Sequence, residues 1–537
     1  MKIVTTGRKI LLLLILLSPL ALYLESCKKV DTSTPTNTLP ILTTTIVSSI
    51  TATNAITGGN ISSAGGLPIQ SRGVVWSTSP NPTIALNTKT IDGSGTGSFI
   101  STLSGFSPDT TYFVRAYATT SLGTAYGNEV NFKFSSISSV GNQQGNKLVG
   151  LGAIGNALQG KSVSISADGN TLVFSGPADN GETGAIWIYN RTNNAWNQVA
   201  KLVVSGAVGK SFQNSVAISA DGKTVIVGGS GDNSFIGAAW IFTQNNGIWA
   251  QQGSKLVGAG AIGKASQGSS VSISSDGNTV VIGGAGDNTD VGSGNGFFID
   301  DAVGAAWIFT RSNDVWTQQG TKLVGSGAIG KAMQGSSVSI SGEGNTVVIG
   351  GDADNDFIGA TWIFTRNNGM WAQQGSKLIG TGAAGQTLQG NSVSISSDGN
   401  TVIIGGPYNP GAAWIFTRNN GMWAQQGSKL VGSGNVGFSR QGRAVSISGD
   451  GNTVVIGGDF DNGFTNSQGS SFGIGASWIF KRNNGMWAQQ GSKLVGSNNI
   501  GYSMQGSSVS INSDGKTVAV GGPGDNANKG AVWIFNR

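Results

Sequence analysis

Seven copies of one sequence pattern fill the chain from about residue 142 to its last residue, Arg537, and each copy is too short to bury a core alone. KLVG or a close variant begins at Lys147, Lys201, Lys255, Lys322, Lys377, Lys429 and Lys493, at spacings of 54, 54, 67, 55, 52 and 64 residues. In the unit from Lys377, KLIGTGAAGQTLQG leads into SVSIS and TVIIGG, two alternating runs joined by a turn at Ser397-Asp398-Gly399-Asn400. AAWIFTR is a third run, Asn420-Gly421 signals a hairpin, and WAQQGSKLV is a fourth strand. Tryptophan marks the order: Trp187, Trp240, Trp307, Trp362, Trp414, Trp478 and Trp533 lie in third strands, and Trp196, Trp249, Trp316, Trp371, Trp423 and Trp487 open fourth strands. The last unit stops after its third strand. Upstream of the first unit, Gly141 to Val149 matches WAQQGSKLV with glycine at the tryptophan position and asparagine at the alanine and serine positions, so this N-terminal strand is expected to complete the last unit and leave no open edge.

Four antiparallel strands every 52 to 67 residues is the cadence of a β-propeller blade, whereas linear β-solenoids repeat at much shorter intervals. The expected fold is all-β: a seven-bladed propeller over residues 138–537, closed by its N-terminal strand. The units resemble FG-GAP repeats, the propeller repeats of integrin α chains and many bacterial surface proteins. In the seventh, MQGSSVSINSDGKTVAVGGPGDNANKGAVWIF follows that family's order, with Gln505-Gly506 for its Phe-Gly and Gly521-Gly522-Pro523 for its Gly-Ala-Pro. The resemblance implies a fold rather than an activity, because propellers host many functions. Related repeats often carry calcium on DxDxDG. This chain has one carboxylate per unit at the matching turn (Asp168, Asp221, Asp276, Glu343, Asp398, Asp450, Asp514), too few ligands for a tight calcium site and ordinary chemistry for a turn. A second acidic position, Asp-Asn after the second strand, recurs at Asp179, Asp232, Asp287, Asp354, Asp461 and Asp525, where it either caps a loop or forms a polar rim.

The N-terminal part reads differently. Residues 1–26 combine Lys2, Arg8 and Lys9 with an apolar run from Ile10 to Leu24, too short to span a bilayer and broken by Ser18-Pro19, as in an export signal. The LESC that follows resembles the lipobox of bacterial lipoproteins, which implies lipidation of Cys27, the sole cysteine, with a membrane anchor and an outer-membrane, cell-surface location. Residues 27–39 are a polar tether. Residues 40–135 hold six or seven short strands, the cadence of a β-sandwich. LSGFSPDTTYFVRAYA resembles the fibronectin type III signature, with Tyr112 at the tyrosine-corner position and Trp76 as the buried tryptophan of the early strands.

Composition narrows function by exclusion. The chain has no histidine and one cysteine, so serine–histidine triads, histidine zinc sites and intrachain disulfides are unavailable. Glutamate occurs only at Glu25, Glu129, Glu182 and Glu343, which leaves acid–base chemistry to aspartate and disfavours an enzyme. The formal charge of +6 falls to +4 without residues 1–26 and makes no case for nucleic acid.

Departures from the repeat are the candidate sites, since strands are fixed by packing and loops are freer. The third and sixth units are lengthened between their second and third strands. The third carries Asp287, Asp290, Phe297, Phe298, Asp300 and Asp301, and the sixth Asp459, Phe460, Asp461, Phe464 and Phe472, aromatics beside carboxylates that suit a sugar, a cationic partner or a cation. The reading is a monomeric, lipid-anchored surface protein that binds or adheres, without catalysis, through propeller loops to a glycan or protein. The alternatives are a glycan-capture protein of a nutrient-uptake system and an aspartate-based glycan-active enzyme.

Overall fold

The computed structural model describes residues 36–537 except 49–53, 108–109, 135–140, 289–301, 384, 409 and 466–470, so Cys27 and the leader lie outside the described residues. The chain divides into two compact units.

The first unit spans the strands from Ile41 to Phe134. One sheet pairs Ile41–Ser48, Asn54–Ser63 and Gly97–Ser104, and in the other Thr110–Thr120 has Ser71–Ser77 along one edge and both Gly123–Tyr126 and Val130–Phe134 along the opposite edge. Alternate residues of both sheets supply one core, in which Leu42, Ile61 and Leu103 meet Trp76, Tyr112 and Phe132. Tyr112 packs against Phe106 and Phe132, with centroids 5.0 and 5.9 Å apart.

The second unit contains, among the described residues, seven four-stranded antiparallel sheets. Their innermost strands, Val163–Ile165, Gln213–Ile218, Ser270–Ile273, Ser337–Ile340, Ser392–Ile395, Ala444–Ile447 and Ser508–Ile511, touch in that order, and the last touches the first. The serines of SVSIS explain how strands so short hold together sideways: Ser164 Oγ accepts the Ile218 N–H at 3.2 Å, Ser272 Oγ that of Ile340 at 3.2 Å, and Ser510 Oγ that of Ile165 at 3.2 Å across the closure. The turns that follow are linked head to tail. Ala167 N–H donates to Ala220 C=O, and the series continues through Ser275, Gly342, Ser397, Gly449 and Ser513 back to Ala167, every bond 3.0–3.1 Å.

Each third-strand tryptophan is fully buried between sheets. It lies flat on the glycine of the unit's opening KLVG: a Cβ on Gly325 would come within 2.1 Å of the Trp362 ring. The second unit has Val204 there instead. Fourth-strand tryptophans latch neighbouring sheets. Trp371 Nε1 donates to Gln319 Oε1 of the preceding sheet at 2.9 Å, while Arg366 reaches the same oxygen and lies over the Trp371 ring. The seventh sheet is completed from upstream, as expected from Gly141 to Val149. Asn142–Gln143 pairs with the last strand, Gln144 N–H donates to Ile534 C=O, and Leu148 exchanges two hydrogen bonds with Val532.

Candidate functional site

Inner strands start, and second strands finish, at the same end of the ring, so two repeat positions converge there: the residue after Gln-Gly or its equivalent, and the residue after Gly-Gly. Most units fill them with Ser, Ala, Pro or Asn, but some carry charge. Asp352 of the fourth sheet accepts from Asn391 Nδ2 of the fifth at 2.8 Å, and Asn391 Oδ1 accepts from Arg443 Nη1 of the sixth at 3.2 Å. Arg443 Nε and Arg440 Nη1 each lie 3.7 Å from Asp459 Oδ2. Lys161 stands at the same repeat position as Arg443, at the start of the first sheet's innermost strand, with the seventh sheet between the first and the sixth around the ring, so both lie at this end, or mouth, of the ring, where the charges of Arg443 and Asp459 reach Lys161. Lys161 is open to solvent yet enclosed by protein. Burial holds its ammonium below the usual range, Arg443 pushes the same way, and Asp459 opposes both. Asp352 Oδ1, Asp459 Oδ1 and Arg440 Nε are buried without a hydrogen-bond partner. Such groups cost free energy that a polar ligand would recover.

The local chain conformation sets these side chains. Before each mouth position stand Leu158, Phe212, Ser266, Met333, Leu388, Arg440 and Met504, all left-handed with φ of 48–57°. Bulky residues avoid this region at a cost of about 1–3 kcal/mol each. The glutamine that follows offsets the strain: Gln334 Oε1 accepts the Gly325 N–H at 2.5 Å and its Nε2 donates to Gly325 C=O at 2.9 Å, a clamp repeated in six units. In the second unit, Gln213 bonds Thr183 and Gly184 carbonyls and its Oε1 is orphaned. At the opposite end of the ring, a cavity of about 460 Å³ opens beside Lys223, Gln244, Asn278, Arg311 and Asp314, where Gln244 replaces the arginine of most other sheets.

Several solved structures are similar to this chain in overall fold. The C-terminal WD40 domain of Sif2 is 13% identical, with 74% of this chain and 98% of that one covered and a TM-score of 0.43. The fold is a β-propeller. A candidate 6-phosphogluconolactonase from Bacteroides uniformis is 14% identical over 71% of this chain and 92% of that one, with a TM-score of 0.42. The periplasmic gluconolactonase of Pseudomonas aeruginosa is 13% identical over 72% and 93%, with a TM-score of 0.39. No protein-family model matches the sequence, and no curated protein is recognisably similar to it.

The expectation of a non-catalytic adhesion propeller is corrected. The propellers similar to this chain include lactonases, and two of the loop carboxylates on which that reading leaned are internal ties. Asp287 is 1% exposed, its Oδ1 accepting the Ile262 N–H at 2.8 Å and its Oδ2 lying 2.5 Å from Lys322. Asp461 holds Val436 N–H and Lys493 likewise. The same tie recurs at Asp179, Asp232, Asp354 and Asp525, so the Asp-Asn position fixes a loop within its own blade. Asp290, Phe297, Phe298, Asp300 and Asp301 lie outside the described residues.

In the sixth blade, Asp459 reaches the mouth and Phe460 packs beneath Arg440, whose guanidinium is 4.9 Å from the ring centroid. Phe464 and Phe472 pair through their backbones in a two-stranded ribbon. Phe464 also meets Tyr502 edge-on at 5.0 Å, and Tyr408 meets Phe438 at 5.9 Å; all four rings are exposed. The Asp-Gly carboxylates are engaged within their turns, as where Asp398 accepts from Ser396 and Asn400. Among the described residues, no group of three or more His, Cys, Asp or Glu is placed to hold a metal ion. Sequence reasoning missed Lys161, Asp352, Asn391, Arg440 and Arg443. Comparing the residue after each Gly-Gly and the one after each Gln-Gly across the seven units would have found most of them.

Proposed function

We propose that the chain is an exported, lipid-anchored glycan-capture protein of a nutrient-uptake system, holding carbohydrate over the tunnel mouth of a seven-bladed, FG-GAP-like propeller. In this reading residues 1–26 are removed, Cys27 carries the lipid, residues 27–39 are the tether, and a fibronectin III-like sandwich over 40–135 is the stalk. One observation carries it: exposed aromatic pairs, Tyr408–Phe438 and Phe464–Tyr502, flank a mouth with buried, unpartnered polar atoms. Aromatic faces stack on the C–H faces of sugar rings, and convergent polar groups take hydroxyls. The test is calorimetric titration of the Cys27→Ser protein lacking residues 1–26 against a polysaccharide panel. Binding of a glycan, lost in Phe438→Ala and Tyr502→Ala variants with unchanged melting temperature, supports the proposal. A panel without binding overturns it.

A second reading is favoured by the orphaned Oδ1 of Asp459, a carboxylate oxygen with no hydrogen-bond partner of its own. An aspartate-based glycan-active enzyme would use it with a second carboxylate at catalytic separation. Glycan turnover abolished by Asp459→Asn would establish this; turnover unchanged in that variant would remove it.

A further inference from the structure

We infer that the carbohydrate taken at the mouth is acidic, its carboxylate bridging Lys161 and Arg443 while an adjacent hydroxyl donates to Asp459 Oδ1. The inference rests on the carbohydrate reading above and concerns which class of sugar the site selects. Its basis is an imbalance of charge. Three cations, Lys161, Arg440 and Arg443, gather about two carboxylates, Asp459 and Asp352, and because Asp352 takes only a hydrogen bond from the neutral Asn391 amide the cluster keeps one net positive charge. Asp459 sits 3.7 Å from both arginines, too far for close hydrogen bonds, and binds both through Oδ2. Its other oxygen and Arg440 Nε are left unpaired.

The cations are not compensated elsewhere. Arg443 gives Nη1 to a neutral amide, Asn391, and no ion pair joins Lys161 to a carboxylate among the described residues. The other mouth positions hold Asn214, Ser269, Ser336 and Ser507, and Pro177, Ser230, Ala285, Pro407 and Pro523, none of them charged. An enclosed cation pair open to water attracts an anion, and an arginine fork matches a planar carboxylate. The unpaired Asp459 oxygen accepts hydrogen bonds only, so it suits a sugar hydroxyl beside that carboxylate and repels a second anionic group.

The experiment titrates the Cys27→Ser protein without residues 1–26 with oligogalacturonate, with neutral oligosaccharides of the same length and with a sugar phosphate. The expected result is preferential binding of oligogalacturonate, weakened about tenfold or more by Lys161→Gln and by Arg443→Gln, as loss of a charge-assisted hydrogen bond implies. Lys161→Arg should restore much of the affinity, and added salt should weaken it. Melting temperatures confirm that each variant folds. Equal binding of neutral and acidic oligosaccharides, unaffected by the two variants, would overturn the acidic assignment and leave the carbohydrate reading standing. Preference for the sugar phosphate would also overturn it. No binding of any saccharide would overturn both.

Discussion

The Lys147 ammonium lies 2.5 Å from the Asp525 carboxylate, an ion pair that joins residues 378 positions apart. Lys147 enters with the N-terminal strand and Asp525 belongs to the last blade, so the two ends of the propeller are held by charge as well as by strand pairing. Both partners are largely buried, and removing one leaves the other desolvated. Asp525→Ala should lower stability by about 3 kcal/mol. Lys210→Ala, which breaks the exposed pair with Glu182, should change it by less than about 1 kcal/mol. Chemical denaturation of both variants measures the contrast.

Gln334 clamps both backbone groups of Gly325. Gln334→Leu keeps the volume but leaves a buried N–H and a buried C=O without partners, so a loss of about 3 kcal/mol is expected. A melting temperature equal to that of the parent would show that the clamp contributes nothing.

The seam between the first and second blades lacks its latch. Gln244 stands where most blades have arginine, Val199 takes the place of the accepting glutamine, and Trp249 Nε1 has no partner. Hydrogen exchange within the propeller should therefore be faster in Ile248–Gln251 than in Met370–Gln373, whose Trp371 is fully latched. The reverse order would contradict the assignment.

Acid should destabilise the propeller in a definite window. At Asp168, Asp276, Asp398 and Asp450, burial works to raise the carboxyl, but hydrogen bonds from a serine and an asparagine, with a nearby arginine, outweigh it and hold each below the usual 3.8. A carboxyl depressed in the folded state contributes stability that is complete above the unfolded value, about 4, and lost as pH falls through the folded one. Melting temperature should be level from pH 7 to about 5 and fall below about 4. Asp398→Asn should lower it at neutral pH and flatten the fall, which thermal scans across this range would read.

How much of this was legible in the sequence depended on repetition. The strand order, the buried third-strand tryptophans and the closing strand at Asn142 recur or have recurring partners, so seven copies averaged out local ambiguity. The mouth did not repeat. Lys161 and Arg443 in one column, and Asp352 and Asp459 in the other, are departures among small or uncharged residues, and they come to one end only when the ring brings separate blades to one axis. The carboxylates of the Asp-Asn position misled for the opposite reason. Asp287 and Asp461 stand beside lengthened loops, yet their chemistry is that of every other blade, a lysine and a backbone amide.

The backbone ring from Ala167 through Ser513 and back has neither a first member nor a last. Its chemistry does not record where the polypeptide begins. A gene rearranged to join residue 537 to residue 141 and to start instead at the unlatched first-to-second seam would encode the same set of strand pairings. Duplication of a single repeat, by contrast, would have to reopen the angle between every pair of blades before an eighth could enter.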